Sequence, residues 1–333
     1  MASGLARREF LSALGGAAAW PLAARAQQSE KVWRIGVLPT GYRQTDPEGQ
    51  ARVTALRDTL GKLGWSDGRS VKLEVRWPGN EIDQIRAEAA ALAESTPDVF
   101  VVSSNAALTT LKGLNKNIPT VFVQVSDPVG GGYVSSLAHP DGNVTGFQNF
   151  EPAVGGKWVG LLKEAAPALV KAAVTVYPDT AAHSQFLRAV EAVAPSLGVR
   201  VSAIEVREGN DLERGITEFA ATPNGGLIFL PHPRTIDHRV ALAEQALQLR
   251  LPAIYPFRYF ATDGGLMSYG FDQVEQWGGA AGYVDRILRG ARPGDLPVQA
   301  PTKYELVINL KTAKALDLAI SPSLLATAVE VIE

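Results

Sequence analysis

Short apolar, β-branched runs alternate with helix-length segments along most of this chain, and few folds tolerate that alternation. Val32–Leu38, Val71–Trp77, Asp98–Val102 and Pro119–Val123 read as strands. Between them, Gly49–Leu63, Glu81–Glu94 and Ala106–Leu114 carry helical spacing, with Val53, Leu56, Leu60 and Leu63 on one face of the first. Strands separated by helices of this length imply a parallel sheet covered by helices on both faces.

The pattern then repeats. Val154–Ala165 reads as a helix, Ala172–Tyr177 as a strand and Ala181–Leu197 as a helix. Val199–Ile204, Gly226–Leu230 and Pro252–Tyr255 follow as strands, separated by helices over Asp211–Ala221 and Thr235–Leu249. Two α/β halves in tandem predict two Rossmann-like lobes facing across a cleft. His139–Phe150, with Pro140-Asp141-Gly142-Asn143 and no helical periodicity, marks the boundary. Beyond the second half come Gly264–Gly270, a helix over Val274–Leu288, the run Tyr304–Leu310 and a closing helix, which complete either lobe. The expected division is 31–146 plus about 270–298 for one lobe and 147–269 plus about 299–333 for the other. Several crossings between them would form a multi-strand hinge.

The chain opens with Arg7-Arg8, an apolar run from Phe10 to Ala24, and Ala24-Arg25-Ala26. A basic start, an apolar middle and a small-residue end are the parts of a cleaved export signal, cut before Gln27. Arg7-Arg8-Glu9-Phe10-Leu11 is similar to a twin-arginine signal. The apolar run is about 15 residues, short of the ~20 needed to span a bilayer. Such a chain would work in the periplasm. Removing residues 1–26 takes the net charge from −2 to −4, a weak balance that argues against nucleic acid as partner. With no cysteine, stability rests on burial rather than on disulfides.

In open parallel sheets ligands sit beyond the carboxyl ends of the strands. The turns there hold Thr40 and Tyr42, Ser104-Asn105-Ala106, Asp127, Tyr177 and Asp179, His232, and Phe257. Ser104-Asn105-Ala106 opens a helix and would favour a ligand carboxylate through free N–H groups and the helix dipole; it also reads as an ordinary N-cap. Asp127 suits a ligand ammonium, or simply a turn before Pro128. His232, between two prolines, suits the cleft or a surface turn. Rings near the turns would flank an aromatic ligand or pack in the core.

Catalysis finds little support. The chain has no G-x-S-x-G, no H-E-x-x-H, no phosphate loop and no G-x-G-x-x-G after the first strand. His139, His183, His232 and His238 lack metal-ligand spacing, so no cofactor or metal is expected.

Several stretches together resemble a known family. They are Arg34–Leu38, Pro119–Val123 with Asp127-Pro128-Val129-Gly130, Gly142–Gly146, Leu251–Tyr255, Gly264–Gly270 and the tail Tyr283–Leu288 through Pro301–Leu316. The chain resembles the ABC-transporter substrate-binding proteins of the type I periplasmic-binding fold, in the tryptophan/tyrosine transport-type branch. The resemblance spans the whole chain after the signal. It implies two lobes, three crossovers, a small-molecule ligand enclosed between them, an ABC permease of the inner membrane as partner, a monomeric receptor and no catalysis. It places the turn after the third strand and Asp127 on one side of the ligand, and Tyr177 and His232 on the other. Ser104-Asn105 stands where relatives carry Gly-Thr, which opens the ligand class beyond amino acids to other carboxylates. A sensor presenting its ligand to a membrane receptor and an exported α/β enzyme are the alternative readings.

Overall fold

The computed structural model describes residues 31–114, 117–178 and 180–333. The export signal read over residues 1–26 lies outside the described residues.

The first lobe is built on β1 (Trp33–Leu38), β2 (Val71–Val75), β3 (Val99–Ser103), β4 (Thr120–Val125) and β5 (Val144–Gln148). They form one parallel sheet in the order β2-β1-β3-β4-β5. The continuous apolar runs Val99-Phe100-Val101-Val102 and Val121-Phe122-Val123 occupy the middle, where both faces are covered. The alternating Val71-Lys72-Leu73 lies at the edge. Successive strand side chains point to opposite faces, and the core divides accordingly. Val99, Val101, Val121 and Val123 pack on one face, and Phe100, Val102 and Phe122 on the other.

Helices α1 (Pro47–Lys62) and, from far along the chain, α10 (Gln273–Leu288) cover the first of these faces; α2 (Ile82–Glu94) and α3 (Asn105–Leu114) cover the second. Asp46 caps α1 by accepting from the Glu48 and Gly49 N–H groups, with Pro47 preset at the first helical position. The segment His139–Phe150 holds β5, so it is more than a linker. Gly146 lets β5 lie against β4: its φ is +153°, and a Cβ there would sit 2.0 Å from the Phe122 carbonyl oxygen.

The second lobe contains α4 (Val154–Ala165), β6 (Lys171–Val176), α5 (Ala182–Val193), β7 (Arg200–Glu205), α6 (Asp211–Ala220), β8 (Gly225–Ile228), α7 (Pro233–Asp237), α8 (Arg239–Gln248), β9 (Ala253–Tyr255), α9 (Arg258–Thr262) and β10 (Met267–Gly270). After α10 come β11 (Glu305–Asn309), α11 (Leu310–Ala315), α12 (Pro322–Thr327) and β12 (Glu330–Ile332). The sheet order is β12-β11-β10-β9-β8-β6-β7. The helix expected over Thr235–Leu249 divides at His238 into α7 and α8.

The expectation of all-parallel sheets needs one correction, because β11 runs antiparallel to β10. The reason is the path of the chain. β10 ends at the cleft and crosses to deliver α10 to the first lobe, and the return crossing enters the second sheet from the cleft side, so β11 runs the other way.

The chain passes between the lobes after β5, after β10 and before β11. Each crossing contributes a ring to one cluster. Phe150, 1% exposed, lies with its centroid 4.9 Å from Phe271 and 6.0 Å from Tyr304. Trp158, at 5.2 Å, and Phe257, at 5.6 Å, complete the cluster from the second lobe. Among the described residues no helix is long and apolar enough to cross a membrane.

Candidate ligand-binding cleft

A cavity of about 650 Å³ opens between the lobes at the carboxyl ends of both sheets. Of the residues singled out in the sequence, Thr40, Ser104, Asn105, Ala106, His232 and Phe257 line it. Asp179 lies outside the described residues. Tyr42, Asp127 and Tyr177 are not on its wall, and each has a physical reason to be elsewhere.

Asp127 is committed to the protein. Its Oδ1 accepts the Gly130 N–H at 2.8 Å, closing the turn, and its Oδ2 accepts from the amide of Gln185 on α5 of the opposite lobe. The carboxylate thus joins the lobes and closes its own turn. Tyr42 is buried, with its hydroxyl 3.3 Å from that of Tyr259 on α9, so it too spans the interface. Burial pushes the pKa of both phenols up. Tyr177 stands behind the wall. Its ring stacks on that of His232 at 3.7 Å and 7°, and its hydroxyl lies 2.8 Å from the Thr235 hydroxyl. His183 Nδ1 accepts the Tyr177 N–H at 3.0 Å, so its Nε2–H faces the Pro231 carbonyl at 3.3 Å. His232 Nδ1 in turn accepts the Arg234 N–H and caps α7. The two histidines hold the Pro231-His232-Pro233 turn in place against the cavity.

On the first lobe, the end of β3 is tied to β1. Thr40 donates its N–H to Ser103 Oγ at 2.8 Å and its hydroxyl to the Ser103 carbonyl at 3.0 Å. Ser104, at φ +72°, then turns the chain into α3, whose first-turn N–H groups face the cavity end of the lobe. Asn105 does not extend its amide to a ligand. The amide donates to the Ser126 carbonyl at 2.8 Å and accepts the Ser126 N–H at 3.0 Å, bracing α3 against the end of β4.

Two residues not singled out in the sequence stand out on the floor. Gln124 and Asn149 line the cavity, are 8% and 5% exposed, and each holds one amide atom, Gln124 Nε2 and Asn149 Oδ1, without a protein partner. An unpaired buried polar atom costs about 1–3 kcal/mol, and a bound molecule able to accept from one and donate to the other removes that cost. Gln124 also has φ +60°, at the point where the β4–β5 register shifts. Ser104, Gln124 and Asp127 are thus three left-handed non-glycine residues at two adjacent strand ends. Strain of this kind concentrates at binding sites. The one sequence signal for Gln124 was a lone amide inside the apolar run Val121–Val125. None of the described lining residues is Asp or Glu.

The lobes are drawn together on both sides of the cavity. Besides Asp127–Gln185, Arg239 of α8 donates to Asp46 at 2.9 Å across the interface and to Asp263 of its own lobe at 2.7 Å. Arg43 faces Asp237 at 3.6 Å. Burial by itself would lower the pKa of Arg239; its two carboxylates outweigh that and hold it above its usual value. A Cβ on Gly41 would lie 3.3 Å from Pro233 Cα, so the lobes are in direct contact.

A family model described as ABC transporter substrate binding protein matches residues 46–332. A "Tyrosine-binding protein" of Clostridioides difficile (strain R20291) is 24% identical over 294 residues, covering 87% of this chain and 82% of that protein. The ABC domain from Streptococcus pneumonia in complex with L-Trp shares the fold with a TM-score of 0.82 at 22% identity, over 91% of this chain and 100% of that one. The ligand-free, open structure of a substrate binding protein with adhesive properties from Clostridium difficile gives 0.66 at 21% identity, over 90% and 99%. The chain is therefore a member of the ABC transporter substrate binding protein family, which binds substrate for transport rather than transforming it.

Proposed function

We propose that this chain is a periplasmic receptor that closes on a small carboxylate-bearing molecule and hands it to an ABC permease of the inner membrane. The observation that carries this reading is the pair of buried, unpartnered amide atoms of Gln124 and Asn149 in a cavity held between two lobes. Gln124 Nε2 and the first turn of α3 suit a carboxylate; Asn149 Oδ1 suits a donor on a neighbouring ligand atom. Relatives named for tyrosine and crystallised with L-Trp support an amino acid or another carboxylate of similar size. The better superposition on the L-Trp complex than on the ligand-free open relative supports a closed arrangement. The bodies that move are 31–146 with about 270–298, and 147–269 with about 299–333, in a monomer without nucleic acid.

Thermal unfolding with L-tyrosine, L-tryptophan and a panel of monocarboxylates tests this. A ligand at 100 times its Kd should add about 2.7 kcal/mol of stability. No stabilisation by any of them, or chemical turnover of one that binds, would overturn the reading.

Export is proposed to follow the twin-arginine route, with residues 1–26 removed. Replacing Arg7 and Arg8 by Lys should leave the protein in the cytoplasm, as read by cell fractionation; unchanged export would assign it to the general secretory route.

A further inference from the structure

The cavity does not end at the cleft. It continues outward along the first lobe, between α2 and α3, which lie side by side on one face of the sheet. Ile82, Arg86 and Ala90, four residues apart, present one face of α2 to it. Ala106, Thr110, Gly113 and Leu114 line the α3 side. From Ala106 to Leu114 the groove runs for about 12 Å along the helix.

The groove is apolar in effect although it contains hydroxyls. Thr110 donates its hydroxyl to the Ala106 carbonyl at 2.9 Å, and the Thr109 hydroxyl pairs with that of Tyr133 at 2.7 Å. With those groups satisfied, their methyls and the Tyr133 ring remain for a ligand. Arg86 pairs with Asp83 at 3.3 Å. At the outer end Ile82 is 36% and Leu114 52% exposed, apolar surface left facing water on both helices. The whole space, at about 650 Å³, is in the range that holds a drug-sized ligand.

We infer that the ligand is an extended 2-hydroxy monocarboxylate, its carboxylate accepting from Gln124 Nε2, its hydroxyl donating to Asn149 Oδ1 and its apolar chain lying in the groove between α2 and α3. This rests on the cleft reading above and deepens it, naming the class of substrate. The continuity of the groove with the buried amides distinguishes it from an isolated surface furrow. A chain lying there covers Ile82 and Leu114, and closure of the lobes need not enclose it.

Gly113 makes a clean test possible. A Cβ at this position meets nothing within 4 Å, so a side chain added there enters the groove and not the fold. Leucine is also a better helix former than glycine. The experiment is isothermal titration of the chain from residue 27 with straight-chain 2-hydroxy monocarboxylates from glycolate to 2-hydroxydecanoate. Affinity should rise roughly two- to fourfold per added methylene, as expected for partial to full burial, and level off once the chain passes Leu114. In Gly113→Leu, with an unchanged or higher melting temperature, the shortest acids should bind as before and the rise with length should disappear. Gln124→Ala should weaken every member of the series by a similar factor. If short acids bind but length has no effect in the wild type, or if Gly113→Leu leaves the series unchanged, the groove assignment is overturned and the cleft stands. If no member binds while L-tyrosine or L-tryptophan stabilises the protein, the groove assignment alone is overturned; if none of these binds either, the cleft reading falls with it.

Discussion

Phe150→Ala should lower the unfolding free energy by about 3–5 kcal/mol, the usual cost of removing a fully buried ring, measured by urea denaturation. The argument lies in where the ring sits. Phe150 follows β5 on the first crossing, Phe271 follows β10 on the second, and Tyr304 precedes β11 on the third. These segments are separated in sequence by more than a hundred residues between the first and second, yet their rings meet on one side chain. Trp158 and Phe257 close the cluster from the second lobe, and the Trp158 N–H donates to the Tyr269 carbonyl at 2.8 Å. Truncation leaves a cavity where rings from all three crossings meet. Phe150→Leu keeps most of the volume and should cost less than half as much. If Phe150→Ala costs under about 1 kcal/mol, the site can collapse and the ring is not the keystone of the hinge.

Arg239→Ala should weaken ligand binding by about thirtyfold, about 2 kcal/mol, the low end for truncating one member of a buried charge pair across an interface. Arg239 is 12% exposed at its side chain, and Asp46 15%. The Asp46 carboxylate already accepts the Glu48 and Gly49 N–H groups as the cap of α1, so it cannot turn away from the interface when its partner goes. In the closed arrangement it would be left partly buried beside Asp263. Opening the lobes rehydrates it, so the loss falls on the closed form, and small-angle scattering should find the variant more expanded at a subsaturating ligand concentration. Tyr259 reinforces the same corner, with Arg239 5.4 Å and Arg52 5.3 Å from its ring centroid. An affinity within about threefold of the wild type would show that this ion pair does not discriminate between open and closed forms.

The α/β fold was legible in the chain because its cause is local. Burial on two faces writes Val99–Val102 and Val121–Val123 as unbroken apolar runs, exposure at an edge writes Val71–Val75 as an alternation, and helices leave Leu56 and Leu60 a turn apart. The position of the cleft followed from strand polarity, so Thr40, Ser104, Asn105, Ala106, His232 and Phe257 all reached its wall. Their roles did not follow. Asp127 follows the right strand, but it stands off the cavity wall and Gln185, 58 residues later, takes its carboxylate. Asn105 had the right amide, but Ser126 occupies both of its edges. In the sequence Gln124 reads as just past the run Pro119–Val123, in the turn that leads to Asp127, and only the register shift of β4 sets it on the floor of the cavity.

The sequence by itself determined the alternation of elements, the two halves and the family, since each depends on residues near one another in the chain or on motifs it carries entire. Only the tertiary structure decided which polar groups remain available to a ligand. That is a matter of who satisfies whom across the lobes, between residues such as Asp46 and Arg239 that stand 193 positions apart, and such pairings leave no periodic trace in the chain.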